Sequence, residues 1–264
     1  MRYLNSRNRA ILGEMVRTDF KVRYQGSVLG YLWSLLKPLL LFAVLYILFT
    51  VIAPIGKGVP HYGVSLLLGI VFWNFFAETT MIGASSVVAR GDLIRKISIP
   101  RYLVVLSSSV SALINLGLSL IIVFIFALAN GVTPNIGWIL LPVVILELTA
   151  LSVGLAFILA TAYVRFRDIT YIWEVILQAA FYASMIITPM SIVPKTLHDW
   201  LFMNPIVQMV QDARHMIIGG DSITIWNTVD TPIGKIIPFI IVVVLCAVGF
   251  VYFRAKSKYF AEDV

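Results

Sequence analysis

The run VVLSSSVSALINLGLSLIIVFIFALA, residues 104 to 129, decides the fold class. It carries no charge and stays apolar or small throughout. A transmembrane β-strand alternates over segments of about 10 residues, whereas a helix needs roughly 20 apolar residues to cross the hydrocarbon core. The run therefore reads as a membrane-spanning helix. Five other apolar stretches read the same way. The expected fold is all-α and integral to the membrane, a single transmembrane domain over 1–264 with crossings at 30–53, 63–88, 103–129, 136–163, 170–192 and 234–253.

Composition agrees with this reading. The chain is 60% hydrophobic and 12% charged, with a mean hydropathy of +0.94, against about 45 to 50% apolar and 25% charged in soluble domains. The net charge of +7 does not point to nucleic acid, because 16 of the 20 Lys and Arg fall within 2–37, 90–101, 165–167 and 254–258. These clusters lie before the first crossing, between the second and third, between the fourth and fifth, and after the sixth. Basic flanks mark the cytoplasmic side, so both termini are expected inside. The opposite loops hold only Lys57, Lys195, Arg214 and Lys235. Asn130 to Asn135 form an uncharged, turn-rich link between the third and fourth crossings.

Two segments are not expected to cross. Over 4–24, Leu4, Ile11, Met15 and Val22 fall within about 40° of one another on a helix, with Arg7, Glu14, Arg17 and Lys21 opposite. This is an interfacial amphipathic helix, either a basic anchor or a docking element. The outer stretch 193–232 is apolar in pieces such as WLFMNPIVQMV but broken by Pro194 and Pro205. It reads as two short re-entrant helices or as an ordinary loop. Re-entrant backbone is tolerated only where protein buries it or it lines a cavity.

The chemistry that is absent narrows the function. No G-x-x-x-x-G-K-[ST] phosphate loop occurs, so the chain is not expected to hydrolyse ATP alone. His61, His198 and His215 lack metal-ligand spacing, Cys246 is the only cysteine, and no G-x-S-x-G motif is present. No catalytic residue, metal or cofactor of its own is expected. Ser107 to Ser109 read as a site of close helix packing. Intramembrane acids are costly and often functional. Glu174 is expected to pair with Arg165 or Arg167. Glu78 and Glu147 lie deeper and leave open ion coupling, a cavity-lining role or a structural one.

The segment DFKVRYQGSVLGYLWSLLKPLL, Asp19 to Leu40, joins the basic helix to the first crossing. It is followed in order by ISIPRY at 97–102, Phe166-Arg167-Asp168-Ile169, Thr188-Pro189 and Asn204-Pro205. In this order, with six helices and both ends inside, the chain resembles the transmembrane permease subunit of type-2 ABC exporters for lipid-linked polysaccharide, the O-antigen, capsule and teichoic acid permeases. Thr-Pro after crossing five and Lys37 depart from the usual pattern. The resemblance implies a bacterial cytoplasmic-membrane protein that forms a homodimer with two separate cytoplasmic ATP-binding subunits, which would hold ATP and Mg, and that exports a lipid-linked polysaccharide. It also implies that the interfacial helix and the second cytoplasmic segment meet those subunits through Arg7, Glu14, Arg17, Asp92, Arg95 and Lys96. Crossings one and five would line the channel, and the outer loop would gate it around Pro189, Pro194, Asn204 and Pro205.

A glycan presents C–H faces and hydroxyls rather than charge, so aromatic rings suit its path. Tyr31, Phe42, Tyr46 and Phe49 fall within about 60° of one another on crossing one. Crossing five adds Phe181, Tyr182 and Met185, similar to channel-lining positions of the family. Packing against a neighbouring helix is the competing reading for the stripe. Export of a drug or lipid by the same architecture, an ion-coupled transporter using Glu78 or Glu147, and a membrane enzyme acting on lipid are the competing functions.

Overall fold

A computed structural model of the protein describes residues 6–24, 30, 32–53, 55–96, 99–220 and 222–260. Tyr31 and part of the ISIPRY motif lie outside the described residues. Every regular element among the described residues is helical. Five helices are long and apolar enough to cross a membrane: α2 (Leu32–Ile47, continued by a π-helical turn Leu48–Ile52), α3 (Tyr62–Ala89), α5 (Tyr102–Ala129), α6 (Gly137–Arg165) and α11 (Pro232–Ser257). Smaller helices are α1 (Ser6–Tyr24), α4 (Gly91–Lys96), α7 (Ile169–Ala183), α8 (His198–Phe202), α9 (Pro205–Ile218) and α10 (Ile225–Thr228).

The expected crossing at 170–192 is helical only over Ile169–Ala183. Fifteen residues rise about 22 Å, short of the roughly 30 Å hydrocarbon core. Beyond Ser184 the chain passes through Met185 at φ +52°, in the left-handed region, and continues as buried irregular backbone to Met190. The sequence there is apolar enough to extend a helix. The chain can leave helical geometry there because the carbonyls beyond Ser184 find partners on other helices, as described below.

Helix α3 is the hub and packs against α2, α5, α6, α7 and α9. In its most apolar window 72% of residues are buried, against 6% in that of α2. With lipid on the outside, helix association depends on close packing of small residues rather than on hydrophobicity. A Cβ on Gly83 would lie 2.6 Å from that of Ala156, which brings α3 and α6 together. Gly154 and Gly249 do the same for α6 and α11, since a Cβ on Gly249 would collide with the Gly154 carbonyl. On α5 the hydroxyls of Ser107, Ser108, Ser109 and Ser111 donate to carbonyls three or four residues back, at 2.7 to 3.1 Å. The serines are thereby satisfied within their own helix and present small buried surfaces to its neighbours.

One end of the bundle carries the basic clusters. There a small core joins α1, α3, α4, α5, α6 and α11 through Met15, Val87, Ile94, Leu103, Phe157 and Phe253. Met15 is buried and Ile11 half-buried as the amphipathic reading requires, but Val22 is 67% exposed, beyond the part of α1 that α5 covers. At the far end a second small core, Met190, Phe202, Val207, Ile225 and Val229, gathers the segment that follows α7.

Candidate functional site

The far end is organised around Arg214, a buried cation of α9. Its Nε donates to the Ser65 carbonyl at 3.2 Å, and its two terminal nitrogens donate to the Met185 carbonyl at 3.0 Å and the Ile186 carbonyl at 2.6 Å. The Tyr62 hydroxyl donates to the Ile187 carbonyl at 2.9 Å. Three consecutive carbonyls past the end of α7 are thus bonded from α9 and α3. They belong to irregular backbone that makes no helical bonds, and in a lipid environment each would be costly if unpaired. Gly69 leaves room for the guanidinium, because a Cβ there would sit 3.2 Å from a terminal nitrogen of Arg214. Burial pushes the Arg214 pKa down to about 10, so the group stays charged at neutral pH.

The opposite face of α9 is also polar. The Gln208 side-chain amide donates to the Asp212 carboxylate at 2.7 Å and reaches the Glu147 carboxylate of α6 at 3.4 Å. Burial raises the Asp212 pKa to about 6, opposed by its bond from Gln208. Asn135 and Trp138 both donate to the Ile217 carbonyl, at 3.2 and 3.0 Å. The four expected gate residues are in this region. Asn204 caps α9 by accepting from the Ile206 amide at 2.9 Å, and Pro205 occupies the first helical turn, where its missing N–H costs nothing. Pro189 is buried ahead of the 3₁₀ turn at Met190–Ile192, and Pro194 is exposed ahead of the one at Lys195–Leu197.

The aromatic stripe divides. Phe42 is half-buried, with its ring edge-on to Phe126 at 5.4 Å, and Phe49 packs against the main core. Tyr46 is exposed beside Phe42. Phe181 packs edge-on to Trp73 at 5.7 Å, Tyr182 is exposed, and Met185 turns into the small far-end core. Along α7, Tyr171, Glu174, Gln178 and Tyr182 are all exposed, and on an ideal helix they fall within about 80° of one another. Glu174 does not pair with the arginines near it. Arg165 lies over the Phe166 ring and Arg167 over the Tyr163 ring. Of the deeper acids, Glu78 accepts from Asn115 at 3.0 Å, across the α3–α5 contact.

At the basic end the six expected coupling residues, Arg7, Glu14, Arg17, Asp92, Arg95 and Lys96, are all exposed on α1 and α4. The residues that hold those two helices in place are others. Arg90, between α3 and α4, pairs with Asp19 of α1 and donates to the Ser107 hydroxyl of α5 at 2.8 Å. Asn8 donates to the Tyr102 hydroxyl at 3.2 Å, and Arg101 donates to the Ser257 carbonyl at the end of α11.

Residues 12–218, which take in most of α1, the hub and the Arg214 cap, match the model of the family described as ABC-2 type transporter. The chain belongs to that family. The ABC-2 chain is 32% identical over 208 residues to the O-antigen export system permease protein RfbA of Myxococcus xanthus, covering 76% of this chain and 78% of the relative. It is 26% identical over 211 residues to RfbA of Klebsiella pneumoniae, covering 80% and 81%. Against the polysialic acid transport protein KpsM of Escherichia coli it is 21% identical over 203 residues, covering 76% and 79%. This transporter subunit is an integral membrane protein, and the sites its sequence left unmarked are Arg214 with Tyr62, the Gln208–Asp212 pair and the Asp19–Arg90 tie. The available signal was the one arginine in the largely apolar stretch PIVQMVQDARHMII, two residues after Asp212, whose carboxylate is taken by Gln208 and not by the guanidinium.

Proposed function

We propose that the chain is the permease subunit of an ATP-driven exporter that carries a lipid-linked polysaccharide across the bacterial cytoplasmic membrane. The observation that carries this reading is the stripe Tyr171, Glu174, Gln178 and Tyr182 on the largely apolar α7, which none of the described elements covers. A carboxylate facing hydrocarbon costs roughly 2.5 to 3.5 kcal/mol on insertion scales. The stripe therefore faces water, in a channel that a second copy of the chain closes. Neutral polar groups and tyrosines suit a glycan, in keeping with the relatives named for O-antigen and polysialic acid export.

In this reading α7 and the segment to Met190 form the sixth crossing, the basic end is cytoplasmic with both termini, and α8 with α9 re-enter from the outside. The exposed faces of α1 and α4 receive two ATP-binding subunits, which hold ATP and Mg. Glu78 and Glu147 are bonded by neutral amides of neighbouring helices, which supports a structural role over ion coupling. The test is copurification with a separately encoded ATPase, followed by ATP hydrolysis with and without lipid-linked glycan. Stimulation by glycan is expected, and a stable complex that responds only to drugs or free lipid would replace the substrate assignment.

A further inference from the structure

Between the start of α3, the segment after α7 and the end of α9 lies a cavity of about 600 Å³, within the range of small-molecule sites. Its polar wall includes His61, Tyr62, Ser65, Ser191, Gln211, Arg214 and Ser222, and among the described residues none that lines it is acidic. Arg214 is buried and uses three of the five guanidinium donors on carbonyls. No carboxylate among the described residues pairs with it. The nearest along α9, Asp212, is engaged with Gln208. A buried cation that lacks a counter-anion is costly, and here it opens on a donor-lined space. Gln211, 4% exposed, lines the same wall, and its buried Nε2 has no partner among the described residues. A buried donor left unsatisfied costs about 1 to 3 kcal/mol, so both groups call for an acceptor that the described residues do not supply.

We propose that this cavity binds an anionic, oxygen-rich group, a phosphate or a carboxylate, between Arg214 and Gln211. A guanidinium and an amide N–H₂ match the in-plane lone pairs of such a group, and charge-assisted bonds of this kind are roughly twice as strong as neutral ones. The site lies at the end of the bundle opposite the ATPase-docking face. It rests on the export reading for its role, which is to receive the acidic part of the substrate as it leaves. The acid has two sources, the phosphate of a lipid carrier or headgroup and the carboxylate of an acidic sugar.

The experiment uses the full chain in maltoside micelles, which carry no phosphate, with inorganic pyrophosphate, glucuronate and glucose as probes in calorimetric titrations. One of the two anions is expected to bind at least tenfold more tightly than glucose. Pyrophosphate binding assigns the site to the lipid phosphate, and glucuronate binding to the sugar acid. Gln211→Glu keeps the side chain's size but adds a negative charge, and should weaken anion binding at least tenfold. Ser191→Phe, at an exposed rim position that does not touch the guanidinium bonds, should do the same by filling the cavity, and it carries the test if Gln211→Glu fails to fold. Wild-type protein that binds neither anion better than glucose, or folded variants that bind unchanged, would overturn the proposal. Glycan export measured in cells separates the two readings. A chain that exports glycan yet binds no anion refutes only the cavity, and one that binds anion without exporting glycan refutes only the function.

Discussion

Replacing Arg214 by Met removes the guanidinium but keeps the volume of an unbranched side chain. It leaves the carbonyls of Ser65, Met185 and Ile186 without their donors. Hydrogen bonds within membrane proteins average about 0.6 kcal/mol by double-mutant cycles, which sets a floor of about 2 kcal/mol for three. Buried acceptors left unpaired cost about 1 to 3 kcal/mol each, and the recovered desolvation cost of the cation, several kcal/mol, offsets part of the sum. The net loss is therefore placed at about 2 to 5 kcal/mol. At roughly 2 to 4 °C per kcal/mol for a chain of this size, the purified protein should melt roughly 4 to 20 °C lower by tryptophan fluorescence in detergent. The loss should also be local. Ser184 is fully buried at the end of α7, so a Ser184→Cys probe in a Cys246→Ala background should resist thiol reagents in the parent and react in the Arg214→Met variant. Arg214→Lys separates charge from geometry, because one ammonium keeps the cation but cannot span carbonyls on two elements. It should fall between the two. If Arg214→Met melts within about 1 °C of the parent and the Ser184→Cys thiol stays shielded, the cap does not hold this end of the protein.

Asp19→Asn should change the melting temperature little, since a part-exposed ion pair contributes about 0 to 1 kcal/mol, yet it frees α1 from Arg90. Glycan export per ATP hydrolysed should fall, as it should in charge-reversed Asp92 or Arg95 variants, and normal coupling with intact expression would reject the docking role of α1 and α4. Re-entry of the outer helices is tested at Trp200, which is 71% exposed on the protein and so is shielded from aqueous thiol reagents only if lipid covers it. A cysteine at Met209 is shielded by the protein itself and serves as the control, so free labelling at position 200 would place α8 in water. The Tyr46→Ala/Phe49→Ala double variant should lower glycan export more than protein level or ATPase assembly, with Phe42→Ala as the packing comparison because of its contact with Phe126. Unchanged export by the double variant would assign the whole stripe to packing.

Length, apolarity and the placing of lysine and arginine are properties summed over many residues, and they were legible in the sequence. The long helices α2, α3, α5, α6 and α11 begin and end within a few residues of the expected bounds, because twenty apolar residues in lipid can satisfy their backbone only as a helix. The amphipathic α1 and the exposed charges of α1 and α4 follow from periodicity in the same way. Where α7 stops was not legible. Its continuation, SMIITP, is uncharged and holds nothing before Pro189 that forbids a helix, and it leaves helical geometry because Arg214 and Tyr62, which lie 29 and 125 residues away from the carbonyls they bond, supply the donors that an α-helix would otherwise supply itself. Tertiary structure also separated the aromatic residues that share a helical stripe, partly burying Phe42 and Phe49 while leaving Tyr46 and Tyr182 exposed. Periodicity says which residues share a face of a helix, and only the neighbours packed against that face decide which of them are covered.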